Sequence, residues 1–572
     1  MTGRTKSAGG YGGTLAVYVK KYAVLIIIAA ILTNAAAYAF THFEGPSEYG
    51  DDPNYLFLAY SVINGTYMVN PHYIFSLRLM SFLPITLIYL LLGVNGFTSS
   101  LWNILSYLGT ILVTFLIVKL LYSRKAALLS AFLVSIYPLA TKFAVNIGED
   151  MPLTFIAPLA VLFFVYAKRT GSRWYYLASG VFLVFTWLIS YEGAVVILFI
   201  LLYAAYSLAR KSIHIDRNTL FFVYGIVIPF VLVFMISSLN SGYPFATITG
   251  NLGFYSNVGV LNSTSVTIPT TNDNLMFYVN GMGQYRVFKT LFAGTNVMAN
   301  LKDMANTLFF IPAPSSYGLF YYLALPILVL LLVFRDRRSI FFIVWFAVAT
   351  LFLEFGPMAV HIVANPVGNF AITYNNIGYT INLGPVSIIY VLAYRLLRFM
   401  LVAAVPMAAI IGIGFAKMLE VKNKYLLVFD IVVIAVLLGV LFANNYVIEH
   451  YWYNWQHYPE SIVSQVGNYL RVHAGDSQIY LENIMGEAYS SSTLPTYLGN
   501  PDTRMVDFDV NASTPCSTFV QGSYVIWSTA ATCPGWSLVY NVTMPTDIPA
   551  YVINWETPEL PYLPKYIYYV EQ

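Results

Sequence analysis

The sequence predicts an α-helical polytopic membrane protein with about eleven transmembrane helices and a small α/β extracytoplasmic C-terminal domain. Hydrophobic residues make up 58% of the 572 residues and charged residues only 10%, whereas soluble globular proteins contain roughly 25% charged residues. The apolar residues form continuous runs of helix length, without the alternation that barrel strands show. The net charge is only +3 and no basic stripe with interleaved aromatic residues is present, which argues against a nucleic-acid-binding protein.

The first predicted span, residues 22–41, is uncharged and long enough for about 30 Å of helix. Lys20 and Lys21 precede it and no small-residue cleavage site follows, so we expect a retained helix with residues 1–21 in the cytoplasm. The membrane domain then extends to residue 444. Its further apolar runs lie at about residues 99–122, 126–147, 151–167, 174–190, 193–209, 219–239, 317–334, 339–356, 399–416 and 425–444.

Basic side chains between these runs predict the orientation. With eleven spans, all five basic clusters fall on the cytoplasmic side, as the positive-inside rule requires. Residues 76–95 are apolar enough to cross, but counting them as a span would move every cluster outside. We therefore expect this segment to lie in the outer interface or to re-enter. The clusters occupy residues 124–125, 168–173, 210–217, 335–338 and 417–424.

The same topology predicts outer loops at residues 42–98, 240–316 and 357–398, and an outer domain at residues 445–572. Both cysteines, Cys516 and Cys533, fall in this domain, so a disulfide fits an oxidising compartment, with two unpaired thiols as the alternative. We expect a multi-pass protein of the cell membrane or of an equivalent of the endoplasmic reticulum. All four glycosylation sequons lie on the predicted outer side, at Asn64, Asn262, Asn511 and Asn541.

Acidic residues are scarce, and several lie in the predicted outer loops. Asp51 and Asp52 are adjacent in the first loop, and such a pair repels, which raises the pKa of one carboxyl and suits proton transfer. Asp150 closes the outward end of the third predicted span, with Lys142 expected about two turns below it in the same helix. Proline follows closely in both places, so the alternative is that these aspartates only cap helices.

Several further charged side chains are candidates for binding a substrate at the outer surface. Arg78, Lys142 and Arg398 are candidates for binding a lipid phosphate, although arginines also favour membrane interfaces without any ligand. Glu192 faces outward between the fifth and sixth predicted spans. The sequence lacks a Walker A loop, a dinucleotide fingerprint, an HExxH motif and a CxxC motif. Chemistry is therefore expected on the outer face, with a substrate that arrives in or across the membrane.

Three motifs resemble one family of membrane enzymes. The segment DDPNYLFLA starting at Asp51 resembles the Asp-Glu/Asp-x-x-Tyr-x-x-x-Ala element of GT-C-class glycosyltransferases, and an interfacial segment ending in LGVNG follows. The segment EDMPL around Asp150 is similar to the Thr-Asp-Met-Pro-Leu of the same family. The resemblance covers about residues 40–210 and is nearest to protein O-mannosyltransferases and lipid A aminoarabinose transferases.

The resemblance implies a hexosyl- or pentosyltransferase that uses a polyprenyl- or dolichyl-phosphate-linked sugar as donor and a protein or glycan hydroxyl as acceptor. It implies Asp51 as the catalytic base, Asp52 as the second acid of the pair and Asp150 as the acid that supports the acceptor or the site geometry. Two positions depart from the family pattern. Asp52 stands where glutamate is commoner, and Arg78 stands where some relatives have a lysine.

Other functions fit the sequence less well. An oligosaccharyltransferase should contain a Trp-Trp-Asp-Tyr-Gly signature in the outer domain, and this chain has none. A transporter or flippase of lipid-linked sugars should have charged or broken helices at mid-membrane and an internal repeat, and neither is visible. The acids near a phosphate allow Mg²⁺ or Mn²⁺ without requiring it. The sequence leaves the sugar and the acceptor undetermined.

Overall fold

A computed structural model of the chain describes most of the membrane domain and part of the C-terminal domain. Residues 284–285 lie alone between longer stretches, and the sequons at Asn262 and Asn511 fall outside the described residues. The side chain of Arg398 also falls outside them. The described residues are 10–43, 45, 51–70, 73–210, 217–242, 245–247, 284–285, 318–355, 359–364, 377–382, 386–392, 395–482, 498, 505–508, 516–527, 533–542 and 566–571.

The described residues form a helical bundle followed by a sheet. Short 3-10 turns occupy Tyr191–Gly193, Leu397–Ala403 and Cys516–Thr518. The α-helices, in chain order, are α1 (Gly10–Thr41), α2 (Asp52–Ile63), α3 (Ile74–Leu77), α4 (Leu79–Leu92), α5 (Gly96–Leu121), α6 (Arg124–Ser135), α7 (Pro138–Val145), α8 (Asp150–Thr170), α9 (Arg173–Ile189), α10 (Ala194–Ala209), α11 (Leu220–Ser241), α12 (Gly318–Val333), α13 (Ile340–Phe355), α14 (Ala404–Met418) and α15 (Lys424–His473).

Each of the eleven predicted apolar runs corresponds to helical structure. Within the described ranges, seven helices are long and apolar enough to cross a membrane, or eight if α6 and α7 count as one span. Helices α4, α9, α12 and α13 are apolar but shorter. At 1.5 Å per residue, α4 is about 21 Å long, less than the hydrocarbon core of about 30 Å. The multi-pass helical fold is confirmed, while the count of eleven spans stays a prediction.

The third predicted span, residues 126–147, is not one continuous helix. It consists of α6 and α7, which are bent by 56° at residues 136–137. Pro138 begins α7 and has no N–H to continue the hydrogen-bond ladder, and Tyr137 before it is extended, as the residue before a proline tends to be. Lys142 therefore lies in α7, and Asp150 begins the separate helix α8. The expectation that both share one helix is wrong.

Small residues allow the helices to pack at backbone distance. Helices α9 and α11 cross at Gly180 and Gly225, where a Cβ on either glycine would clash with the backbone of the partner helix. Gly412 of α14 likewise lies against Ser130 of α6. Close packing through small residues is typical of membrane helices, whose association gains little from the hydrophobic effect.

The turns that carry the basic clusters gather at one end of the bundle. Asp336, between α12 and α13, pairs with Lys417 at the end of α14 at 2.8 Å and accepts a hydrogen bond from the Tyr122 hydroxyl at 2.9 Å. Lys168 at the end of α8 donates to Ser207 near the end of α10 at 2.9 Å. These contacts agree with a single side for the basic clusters, and the side itself stays a prediction.

The C-terminal part is a small α/β domain. Its five-stranded sheet has the order β7-β6-β8-β10-β9, parallel at β7-β6-β8 and antiparallel at β8-β10-β9, with the last turns of α15 packed against it. Cys516 and Cys533 form a disulfide. The described strands are β1 (Gln284–Tyr285), β2 (Ala359–Ala364), β3 (Ile377–Asn382), β4 (Val386–Leu392), β5 (Arg395–Leu396), β6 (Ile479–Glu482), β7 (Met505–Phe508), β8 (Tyr524–Trp527), β9 (Trp536–Asn541) and β10 (Tyr566–Val570).

Two smaller sheets precede this domain. Strands β2, β4 and β3 form an antiparallel sheet in that order, and the short strands β1 and β5 pair with each other. The sheet of β2–β4 lies within residues 357–398, the stretch that the sequence assigns to the third outer loop.

Candidate active site

Three segments that are distant in sequence meet at the end of the bundle opposite the basic turns. They are the start of α2, the junction of α3 and α4 at Arg78, and residues 147–150 before α8. Asn103 of α5 holds the last segment in place, because its side-chain amide donates to the carbonyls of Asn146 at 2.6 Å and Gly148 at 3.3 Å. The site is thus built from loop segments that a packed helix positions.

A buried ion pair joins two of these segments. Nη1 of Arg78 lies 2.6 Å from Oε1 of Glu149, and the two side chains are only 7% and 2% exposed. The hydroxyl of Tyr55 in α2 donates to Oε2 of Glu149 at 2.6 Å and accepts from Nη1 of Arg78 at 2.9 Å. One carboxylate, one guanidinium and one phenol therefore tie all three segments together.

The charges around this network determine its protonation states. Burial alone would lower the pKa of Arg78, but Glu149, Tyr55, Glu192 and Asp51 outweigh it and raise that pKa well above its usual value. Burial, together with the neighbouring Glu149 and Asp51, raises the pKa of Tyr55 well above its usual value, against the opposing effect of Arg78. Arg78 is therefore charged and Tyr55 neutral throughout the physiological range. Asp51 and Glu192 both lie close enough to interact with the guanidinium.

Asp52 forms a second contact between the start of α2 and the segment before α8. Its carboxylate is buried, and Oδ2 accepts a hydrogen bond from the backbone N–H of Ile147 at 3.1 Å. Asp51 stands at the N-cap position of α2, and its side chain makes no capping hydrogen bond there. Glu149 takes the N-cap position of α8 and makes no capping bond either. Asp52 and Asp150 are the first helical residues of α2 and α8 and do not occupy the N-cap positions.

Three further predicted site residues are buried. Asp150 is the first residue of α8 and is 6% exposed. Glu192 lies in the Tyr191–Gly193 turn between α9 and α10 and is 2% exposed. Lys142 is 4% exposed, and its Nζ lies 5.1 Å from the centroid of the Phe143 ring. Buried ionisable groups of this kind are typical of functional sites in membrane proteins.

Two residues of the network did not enter the sequence prediction. Tyr55 is the tyrosine of the DDPNY segment, so its place in the motif was an available signal. Glu149 drew attention only as a neighbour of Asp150, and its partner Arg78 is 71 residues away in the chain. Within the part of the chain that the structure describes, no group of three His, Cys, Asp or Glu side chains could hold a metal ion.

Comparison with known protein families finds a match for part of the chain. Residues 78–237 match the family described as dolichyl-phosphate-mannose-protein mannosyltransferase. The match begins at Arg78 and includes Glu149, Asp150 and Glu192, whereas Asp51 and Tyr55 precede it. No curated protein matches the sequence.

Solved structures share the fold at low sequence identity. The oligosaccharyltransferase of Archaeoglobus fulgidus in its apo form is 11% identical with a TM-score of 0.50, and the alignment covers 87% of this chain and 65% of that one. ArnT from Cupriavidus metallidurans bound to undecaprenyl phosphate is 11% identical with a TM-score of 0.50, covering 88% of this chain and 93% of that one. The chain has a GT-C-like fold.

The chain is also similar to a second structure of the Archaeoglobus fulgidus enzyme, in which an acceptor peptide with an NVT sequon is tethered to the protein. That structure is 11% identical with a TM-score of 0.51, and the alignment covers 86% of this chain and 64% of that one. This chain thus spans slightly less than two thirds of the length of the oligosaccharyltransferase. The predicted resemblance to GT-C-class membrane glycosyltransferases is confirmed by the family match over residues 78–237 and by the shared fold.

Proposed function

We propose that this protein is a membrane glycosyltransferase that moves a sugar from a polyprenyl-phosphate donor to an acceptor hydroxyl on the extracytoplasmic face of the membrane. The observation that carries the proposal is the meeting of two acidic segments about a hundred residues apart, through Asp52 with Ile147 and through Tyr55 with Glu149. The family that matches residues 78–237 is named for dolichyl-phosphate-mannose, and the ArnT structure contains undecaprenyl phosphate. Both names support a lipid-phosphate donor.

In this proposal Asp51 is the general base. Its carboxylate takes the proton of the acceptor hydroxyl while the hydroxyl oxygen attacks the anomeric carbon of the sugar. The bond from that carbon to the phosphate oxygen breaks, and polyprenyl phosphate leaves with the bonding electrons. Asp52 holds the loop against Ile147, and Asp150 orients the acceptor from the start of α8.

A cation near the membrane surface should stabilise the leaving phosphate. Arg398 stays our first candidate, with Lys142 and Arg78 as reserves. The contacts of Arg78 favour a positioning role, because its Nη1 already donates to both Glu149 and Tyr55. The carboxylate of Glu192 is proposed to bind hydroxyl groups of the substrate. A divalent cation, Mg²⁺ or Mn²⁺, stays a further candidate for holding the phosphate.

Donor turnover tests this function directly. The purified protein is incubated with polyprenyl-phosphate-mannose, -glucose or -arabinose together with serine- and threonine-containing peptides or glycans, and released polyprenyl phosphate is measured. We expect acceptor-dependent release from one donor, and a loss of about 100-fold or more in Asp51→Asn. An EDTA arm with Mg²⁺ or Mn²⁺ added back tests the need for a metal.

The matched control is Asp476→Asn, which removes an exposed acid between α15 and β6. It should retain the wild-type rate. Equal rates in Asp51→Asn and the wild type would reject Asp51 as the base. Absence of release from all three donors, in a preparation that is folded by its thermal unfolding curve, would reject the proposed function.

A further inference from the structure

A cavity lies away from the Arg78 network, between the first and last helices of the bundle. Its volume is about 280 Å³, and it opens between α1, the α6–α7 break and the part of α15 near Asn445. None of its lining residues belongs to the network of Tyr55, Arg78 and Glu149. It is therefore a separate site, and its chemistry has to be derived from its own lining.

The lining mixes apolar with polar side chains, and among the described residues it includes His42 but no Asp, Glu, Lys or Arg. One stripe of α1 supplies Asn34, Tyr38 and Thr41 at helical spacing, with the small side chain of Ala37 between them. Thr141 of α7 lies on the opposite wall and donates to Oδ1 of Asn445 at 3.3 Å. Amides and hydroxyls that face one cavity offer both donors and acceptors, without a net charge.

Asn34 is the residue that most strongly indicates a ligand. It lies within the span Tyr22–Thr41, seven residues before Thr41, which is roughly 10 Å deeper along the helix. Its side chain is exposed at the cavity, and no hydrogen bond joins its amide to another described residue. An unsatisfied amide costs several kcal/mol in a lipid environment, so a partner inside the cavity is expected.

The break between α6 and α7 supports the same conclusion. Ser135 and Ile136, at the point where α6 ends and the chain bends by 56°, both line the cavity. Irregular backbone at membrane depth is tolerated where it is buried in protein or lines a polar cavity, and broken helices often form substrate sites in membrane proteins. The break thus forms part of the cavity wall.

We propose that this cavity binds a neutral polyhydroxyl group, either a sugar ring or the glycerol headgroup of an uncharged lipid. Apart from His42, the described lining has no basic side chain, and the lack of Lys and Arg disfavours a phosphate, while the lack of an acid disfavours an amine. The volume equals that of about nine waters at about 30 Å³ each, enough for one such group. Tyr446, 63% exposed at the cavity, offers an aromatic surface for the apolar face of a sugar.

Binding to the full-length protein tests the proposal without any assumption about catalysis. The protein is placed in nanodiscs of dioleoylphosphatidylcholine, and the affinities for octyl β-D-glucopyranoside, 1-monooleoylglycerol and dioleoylphosphatidic acid are measured. Asn34→Leu replaces the amide by an apolar side chain with the same number of heavy atoms, and Ala37→Phe fills the cavity. Thr33→Val is the matched control, because Thr33 is an exposed neighbour that does not line the cavity.

We expect saturable binding of the glucoside or the monoacylglycerol, at least tenfold weaker in Asn34→Leu and Ala37→Phe and unchanged in Thr33→Val. Binding of the glucoside alone identifies a sugar ring, and binding of the monoacylglycerol identifies a lipid headgroup. Saturable binding of phosphatidic acid alone, binding of no probe, or equal binding by Asn34→Leu and the wild type would overturn the proposal. Thermal unfolding of each variant verifies that it is folded.

Discussion

Nη1 of Arg78 and Oε1 of Glu149 are 2.6 Å apart and almost fully buried, although 71 residues separate them in the chain. The pair connects the interfacial segment before α4 to the start of α8. A buried ion pair of this kind contributes little net stability compared with an apolar pair, yet removal of one partner is strongly destabilising. Its main effect is to hold two loop segments in one arrangement.

Glu149→Gln should therefore destabilise the protein by about 3–5 kcal/mol, because the buried guanidinium of Arg78 loses its hydrogen-bonded ionised partner. The free energy of unfolding in detergent, followed by circular dichroism, measures the effect. Asp476→Asn, at an exposed site, is the control and should change stability little. The double variant Arg78→Met, Glu149→Leu should recover most of the loss. A Glu149→Gln protein as stable as the control would contradict the role of the pair.

Two substitutions of Asp52 should separate hydrogen bonding from charge. Asp52→Asn keeps an oxygen that can accept from the N–H of Ile147, whereas Asp52→Ala leaves that buried N–H without it. We expect Asp52→Ala to lower the free energy of unfolding by about 1–3 kcal/mol and Asp52→Asn to lower it much less. If donor turnover also survives in Asp52→Asn, the residue positions the loop. A large loss of turnover in a stable Asp52→Asn protein would instead assign its charge to the reaction.

The ion pair at the other end of the bundle predicts a pH dependence of stability. Burial alone would raise the pKa of Asp336, but hydrogen bonds from Lys417 and Tyr122 outweigh it and lower that pKa below its ordinary 3.8. A lowered folded-state pKa stabilises the protein above the ordinary value, and this stabilisation is lost as the pH falls below about 4 through the folded-state pKa.

Asp336→Asn should accordingly be less stable than the wild type by about 1–2 kcal/mol at pH 7, with a difference that becomes smaller at about pH 3. Thermal unfolding at both pH values measures it. Glu420→Gln, an exposed neighbour in sequence to Lys417, should show no such convergence. A constant difference between pH 7 and pH 3 would mean that Asp336 stabilises the turn without its charge.

Cysteine labelling tests the predicted sidedness. The native cysteines are joined in a disulfide, so a single introduced cysteine gives a clear signal. Thr170→Cys, exposed at the end of α8, should react with an impermeant reagent only after the membrane is opened. Asn64→Cys, exposed after α2, should react from outside in intact cells. Labelling of Thr170→Cys from outside would place the turn after α8 on the outer side, and residues 76–95 would then be a true span.

Local composition was enough to predict the membrane helices. Transfer of a span into lipid depends on the sum of about 20 neighbouring side chains, so the apolar runs at residues 22–41 and 425–444 are visible in the sequence alone. The bend at Pro138 also had a local signal, since proline interrupts the helical hydrogen bonds. It was missed because the run of apolar residues continues through it.

The contacts within the candidate site had no such signal. Arg78 binds Glu149 and not another acid because Asn103 fixes residues 146–148 and because α2 brings Tyr55 to the same place. Each of these contacts joins segments from different helices, and their distance in space depends on how the whole bundle packs. Composition and motif order therefore predicted a membrane enzyme with outer-loop acids, whereas the pairing of those acids depends on the packing of helices that are far apart in the chain.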